Sequence, residues 1–224
     1  MVSQAGRLAG DAALLGVRLG ETDAARLLTL LEELARWNRR TNLTAITDPQ
    51  QMITHHLLDS LAISPDLTGT RVADVGTGAG FPGLPLAVAN PGRLFTLIDS
   101  NAKKLRFVAH AAALLGIGNV TTLHARAESL HPQPPFDTVT ARALAPLPKL
   151  LAQVATLVGP ATRVLAMKGR WPEEELAALP ASWSLASSRI LTIPGLDAAR
   201  CVLVLSRLKM PAARADAAAG PSSP

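Results

Sequence analysis

Over residues 22–37 the large apolar positions Leu27, Leu30, Leu31, Leu34 and Trp37 recur at steps of three and four, the spacing of a helix with one buried face. A second helical stretch is expected over residues 48–63, with Asp48 as N-cap and Pro49 at the first helical position, where its missing N–H costs nothing. From Arg71 onward the period changes. The runs RVADV, FTLID, NVTTLH, FDTVTAR and TRVLAMK alternate with Leu- and Ala-rich stretches of helix length. Such alternation predicts an α/β fold, a mostly parallel twisted sheet with helices on both faces. The last two runs, 184–193 and 200–207, are joined by a turn around Pro194 and Gly195, which predicts an antiparallel last strand.

This pattern divides the 224 residues into a helical N-terminal segment, 1–65, packed on one catalytic domain, 66–209. Residues 210–224, MPAARADAAAGPSSP, hold almost no large apolar side chain and are expected to form a flexible tail. The composition, 48% hydrophobic and 17% charged, is that of a globular chain. Apolar runs such as 84–89 and 150–158 fall short of the roughly 20 residues a membrane span needs, and no secretory signal opens the chain, so a cytoplasmic protein is expected. Cys201 is the single cysteine, which excludes an internal disulfide and any multi-cysteine zinc site; no disulfide-linked partner is expected. A net charge of +5 leans modestly toward a polyanionic partner.

The chemistry concentrates in Val72-Ala73-Asp74-Val75-Gly76-Thr77-Gly78-Ala79-Gly80-Phe81-Pro82-Gly83, a strand running into a glycine-rich turn before a helix, where the backbone can approach a ligand closely. The stretch from Gly78 to Gly83 also satisfies the dinucleotide spacing, and Asp99 stands near the distance of its ribose-binding acid, so spacing alone leaves NAD and S-adenosylmethionine both open. Two points favour the second. Asp74, at the strand tip, would repel a pyrophosphate yet suit the cationic methionine end of a sulfonium cofactor. Little chain also remains to build a dehydrogenase's substrate domain. The plain rival is a tight turn without ligand, in which Asp99 merely caps the following helix. Asp99 at the end of a second parallel strand is well placed to accept two hydrogen bonds from a ribose diol. Arg142 ends a central strand, at the edge where open α/β sheets bind ligands; a surface salt bridge is its rival.

A set of short motifs runs in order along most of the chain: Arg36-Trp37-Asn38, Asn42-Leu43-Thr44, His56-Leu57-Leu58-Asp59-Ser60, the turn from Asp74 to Pro85, Leu97-Ile98-Asp99-Ser100, Phe136-Asp137, Arg142-Ala143 and Lys168-Gly169. Together they resemble the 16S ribosomal RNA guanine-N7 methyltransferases, the RsmG or glucose-inhibited division protein B family. The resemblance implies a Rossmann-like class I methyltransferase that uses S-adenosyl-L-methionine, with 16S ribosomal RNA or the small ribosomal subunit as partner, acting as a monomer. It further implies that Gly76, Gly78 and Phe81 line the cofactor site beside Asp74, that Asp99, Ser100 and Asn101 meet the ribose and adenine, that Ala127 and Glu128 flank the adenine, and that Arg142 closes the site. The match around Ala127 and Glu128 is one of position more than residue type.

Guanine N7 carries an in-plane lone pair and attacks a methyl sulfonium without losing a proton, so no residue is nominated as a general base. His55, His56 and Asp59 lack the further ligands a metal needs, and packing or hydrogen bonding is expected of them. Arg36, Arg39 and Arg40, and Lys103, Lys104 and Arg106, form two basic clusters suited to RNA phosphates or simply to solvent. With no Tyr, four Phe and three Trp, no base-stacking platform is expected. The rivals are a methyltransferase of this fold acting on a protein or small molecule, and a non-catalytic RNA-binding assembly factor.

Overall fold

The computed structural model describes residues 2–208; the expected tail, 210–224, lies outside them. Helix α1 (Gln4–Leu14) leads into α2 (Glu21–Thr41), which opens on Glu21 and Asp23 and closes on Arg39 and Arg40, charges that complement the partial charges at the two ends of a helix. It stops where Asn42 turns left-handed, at φ 48.

The next stretch begins as its sequence predicts, with the Asp48 side chain accepting the Gln51 N–H at 2.8 Å and Pro49 in the first turn. It is not one regular helix. After α3 (Pro49–Met52) come six π-helical residues, Ile53–Leu58, and then α4 (Asp59–Leu61). The Thr54 and Ser60 hydroxyls donate to the Gln51 and His56 carbonyls, and the Asp59 N–H reaches back five residues to Thr54. Hydroxyls that take up helix carbonyls compete with the regular ladder, and a wider turn accommodates them.

Seven strands follow: β1 (Arg71–Val75), β2 (Leu94–Asp99), β3 (Val120–His124), β4 (Phe136–Arg142), β5 (Val158–Lys168), β6 (Trp183–Ile190) and β7 (Cys201–Arg207). They form one sheet in the order β3-β2-β1-β4-β5-β7-β6. The first five run parallel, and β7 pairs antiparallel with both β5 and β6, as the short turn between the last two strands predicts. Strand order reverses between β1 and β4, the crevice where open α/β sheets place ligands.

Alternation along the strands sorts the core into two layers. Val72, Phe95, Leu97, Leu165, Met167, Val202 and Val204 face α5 (Gly83–Ala89), α6 (Ala102–Leu114) and the N-terminal helices. Ala73, Val75, Ile98, Val139, Ala141, Val164, Ala166, Leu203 and Leu205 face the opposite way, toward α7 (Leu147–Val154). The first layer is continuous from Leu8 to Val204, so the N-terminal helices share the catalytic sheet's core.

A buried polar contact ties α2 to the middle of α6, beside the bonds from Arg26 to the Leu115 and Gly116 carbonyls at its end. Glu33, buried at 6% exposure, accepts from Trp37 Nε1 at 3.0 Å and His110 Nε2 at 2.9 Å, and meets Arg36 at 3.3 Å. The Trp37 ring packs edge-on against Phe107, 5.6 Å between centroids. Glu33→Ala strands a buried indole N–H as well as losing the ion pairs, and is expected to cost about 2–3 kcal/mol in urea unfolding. His110→Ala, which removes a partner 41% exposed, is expected to cost less than about 1 kcal/mol.

Candidate functional site

At the carboxyl ends of β1, β2, β4 and β5 the chain encloses a cavity of about 810 Å³, within the roughly 300–1,000 Å³ of small-molecule sites. Gly76, Gly78, Phe81, Asp99, Ser100, Asn101, Ala127 and Glu128 line it on the side of β1 to β3. The opposite wall comes from Thr44, His55, His56 and Asp59 of the N-terminal segment, with Arg142, Lys168 and Arg200 from the ends of β4 and β5 and the entry to β7.

The glycine turn is anchored from both sides. Gly76 and Thr77 N–H both donate to the Ile98 carbonyl, at 2.9 and 3.1 Å. Gly76 holds a left-handed φ of 69°, and a Cβ there would stand 2.5 Å from a Leu144 methyl. A Cβ on Gly83 would lie 1.7 Å from Leu97 Cδ2, so only glycine lets α5 start this close to β2.

Asp74 does not face the cavity. It is 1% exposed and lies behind the turn, where Oδ2 accepts the Thr77 hydroxyl at 2.6 Å and the Gly83 N–H at 2.9 Å, and Oδ1 accepts the Thr140 hydroxyl at 3.1 Å. A carboxylate in contact with the cationic end of a cofactor, as its place in the sequence suggests, is therefore not what this residue provides. It pins the turn to β4 and α5. Burial pushes its pKa up to about 6, although the Thr77, Gly83 and Thr140 hydrogen bonds pull the other way.

Asp99 does line the cavity. Its Oδ2 accepts the Gly78 N–H at 2.8 Å and its Oδ1 the Asn101 N–H at 2.8 Å. The cap of α6 is Asn101, whose Oδ1 accepts from the Lys103 and Lys104 N–H groups, so Asp99 is not spent on capping. A carboxylate offers about four lone-pair sites, which leaves one on each oxygen for a diol. Ala127 is buried and Glu128 exposed on the short turn Ala127–Ser129 after β3.

Arg142 Nη1 donates to the His55 carbonyl at 2.7 Å and to Asp59 at 3.1 Å, with its guanidinium 5.7 Å from the Phe81 ring centroid. Asp59 is buried at 4% exposure, so this is no surface salt bridge. His56 stacks on Phe81, 4.8 Å between centroids, with Nε2 3.0 Å from the Thr44 hydroxyl. Burial, with the positive charge of Arg142 and His55 nearby, lowers its pKa to about 4, so His56 is neutral near pH 7. Among the described residues, no group of three or more His, Cys, Asp or Glu is placed to hold a metal.

Sequence reasoning left out Thr44, His55, His56, Lys168 and Arg200 as site residues. Lys168 and His56 stand in motifs that had drawn attention; Arg200 carried no signal. Of the basic clusters, only Lys104 reaches the cavity; Arg39 and Arg40 stand exposed at the end of α2. Trp171, 45% exposed beyond Lys168 and Gly169, is the one strongly exposed aromatic side chain among the described residues.

A mostly parallel sheet with this reversal point, a triple-glycine turn after its first strand and a cavity-facing carboxylate after its second define a Rossmann-like site for a nucleotide-bearing cofactor, and the family to which the chain belongs makes it an S-adenosylmethionine-dependent methyltransferase. Solved structures share the architecture. They include a ribosomal protein L11 methylase from Lactobacillus delbrueckii subsp. bulgaricus, with a TM-score of 0.51 at 20% identity over 72% of this chain and 80% of that one. Another is a methyltransferase from Thiobacillus denitrificans in complex with S-adenosyl-L-homocysteine, with a TM-score of 0.51 at 13% identity over 67% and 90%. The chain belongs to the GidB family, rRNA small subunit methyltransferase G, whose family model matches residues 23–204. It is 46% identical over 192 residues to the ribosomal RNA small subunit methyltransferase G of Nitrosococcus oceani, covering 86% of this chain and 90% of that one. It is 45% identical to the protein of the same name from an Azoarcus species, covering 91% and 96%.

The two shifted groups act oppositely on stability. Asp74 keeps its proton in the fold up to about pH 6 but releases it near 3.8 once unfolded, so its contribution is full at low pH and is lost as pH rises through 6. His56, with a folded value of about 4 against 6.5, contributes above pH 6.5 and loses that contribution as pH falls through 4. Asp74→Asn removes the first slope and leaves the second. Urea unfolding of the variant is expected to gain on the parent by about 2–3 kcal/mol between pH 4 and pH 6.

Proposed function

We propose that this protein transfers a methyl group from S-adenosylmethionine to N7 of a guanine in 16S ribosomal RNA, acting on the small ribosomal subunit as a monomer in the cytoplasm. The observation that carries the cofactor half is Asp99, a cavity-facing carboxylate tied to the Gly78 N–H of the glycine turn with lone pairs to spare. The acceptor half rests on the family and on relatives at about this chain's own length that carry the small-subunit methyltransferase name.

In this reading residues 66–209 form the catalytic domain, and residues 1–65 add a wall of its cavity. Asp99, Ser100 and Asn101 hold the ribose and adenine side, Ala127 and Glu128 flank the base, and Gly76, Gly78, Phe81 and Arg142 border the methionine side. Asp74 serves from behind, by shaping the turn. When bound, the cofactor supplies an electrophilic methyl group on a sulfonium. The chain's own work is to hold the acceptor nitrogen in line at near-attack distance and to keep water out. No side chain has to take a proton, because guanine N7 attacks with a lone pair that carries none. The neutral His56 ring is stacked on Phe81, so the charge on this part of the wall comes from Arg142 and not from the imidazole.

Incubation of the protein with methyl-labelled cofactor and unmethylated small subunits is expected to yield 7-methylguanosine at one site, mapped by cleavage at the alkylated base. Label in protein or in small molecules instead would redirect the assignment of the acceptor, and cofactor binding without any transfer would mark an assembly factor. Asp99→Ala removes both diol acceptors and is expected to weaken cofactor binding about 100-fold or more in calorimetry, with the fold retained. Gly76→Val, forced into a left-handed backbone against Leu144, is expected to abolish binding.

A further inference from the structure

The wall opposite Asp99 is built around one buried carboxylate. Asp59, 4% exposed, gives each of its oxygens to a different arginine, Oδ2 to Arg142 Nη1 and Oδ1 to Arg200 Nε, both at 3.1 Å. Arg142 ends β4 and Arg200 enters β7, with β5 between those strands. A single acid from the N-terminal segment therefore fixes two guanidinium groups at the cavity, both of which line it.

The donors are unequally spent. Arg200 commits Nε to Asp59 and donates from Nη1 to the Ala199 carbonyl at 2.9 Å. Its Nη2 meets no acceptor among the described residues. Nearby Lys168 is occupied, with Nζ 2.7 Å from Glu175 and 3.1 Å from the Ala145 carbonyl. The wall thus carries two arginines against one carboxylate, and among the described residues Arg200 Nη2 and the Nε and Nη2 of Arg142 meet no acceptor; Arg200 is the one whose Nε is also fixed by Asp59.

We infer that Arg200, oriented by Asp59, selects the acceptor base by donating from Nη2 to guanine O6. This rests on the function proposed above. On the major-groove edge of guanine, N7 and O6 are adjacent acceptors, whereas adenine sets an amino donor where O6 would be. A donor fixed at that position accepts guanine and meets adenine donor to donor. An unrestrained arginine grips N7 and O6 together, which would occupy the lone pair that must attack. The bond to Asp59 takes Nε, so the fork of Nε and Nη2 cannot close on N7 and O6 together; Nη2 is left to meet O6, with N7 free for the methyl group. Asp59 is in this account a positioning residue.

The test is a coupling measurement between Arg200 and O6. Small subunits are assembled with guanine or with 2-aminopurine, which lacks O6 but keeps N7, at the methylated position. Single-turnover transfer and kcat/KM are then measured with the parent protein and with Arg200→Ala. The inference expects each change alone to lower kcat/KM by on the order of tenfold to a hundredfold, and both together to cost no more than either one. Any change in N7 reactivity caused by the analogue cancels in that comparison. Cofactor affinity of Arg200→Ala is expected to match the parent. Losses that multiply, or a loss of cofactor affinity, would overturn the role given to Arg200. Should Arg200→Ala not fold, Arg200→Lys keeps a positive charge beside Asp59 while removing the fork, and is expected to show the same coupling. Asp59→Asn is expected to lower kcat/KM on guanine subunits and to leave it unchanged on 2-aminopurine subunits. If the parent protein transfers no methyl group to guanine, the proposed function fails with it; transfer with uncoupled losses removes only the role of Arg200.

Discussion

The cavity depends on a carboxylate that does not line it. Asp74 is enclosed behind the glycine turn, and its three hydrogen bonds come from three directions: Thr77 in the turn itself, Gly83 at the start of α5 and Thr140 on β4. A buried carboxyl group is costly unless its lone pairs are met, so these partners have little freedom to move independently. The turn is thereby held against the strand beside it, and the Gly78 N–H is presented to Asp99. Because all three donors are neutral, the carboxyl group can carry a proton at mildly acid pH without losing an ion pair. Its place is set by geometry more than by charge.

The opposite wall solves a different problem with the same residue type. Asp59 is also buried, but its partners are two arginines. Buried ion pairs add little net stability over apolar packing, yet removing one member is costly because the other charge is then stranded. Such a pairing is retained more readily for where it puts the arginines than for what it contributes to folding. The six-residue π-helical turn Ile53–Leu58 leads directly into Asp59 and brings His55, His56 and Asp59 to one cavity. Irregular turns of this kind are frequent at functional sites.

Much of this was legible in the residues. Periodicity located the amphipathic helix over 22–37 and all seven strands, because buried strands in a parallel sheet and helices with one apolar face leave strong local patterns. The antiparallel ending was legible from the short turn at Pro194 and Gly195. That Asp99 reaches the cavity was legible because the carboxyl end of a second parallel strand lies on the edge where open α/β sheets form their crevice. The direction in which Asp74 points was not legible: strand position gives the residue's place, but the side chain was drawn inward by Thr140, 66 residues away in sequence. The π-helical turn was hidden as well, since one widened turn leaves the apolar spacing around it almost unchanged. Arg200 was invisible for a related reason. Its significance comes from Asp59, 141 residues earlier, and no local pattern reports such a pairing.

The two walls suit a reaction in which no proton changes hands. Methyl transfer to a neutral ring nitrogen moves a positive charge from sulfur to base, so the site holds one cationic centre before and after the step. Arginines beside such a centre would oppose it if they were free to approach. Asp59 draws both guanidinium groups toward itself, and so partly offsets their field where the methyl group passes. What the arginines keep is their direction, which is what discrimination between purines requires. Guanine N7 attacks with a lone pair that carries no proton, so the ion-paired Asp59 and the His56 ring packed flat on Phe81 shape the wall without having to take up a proton.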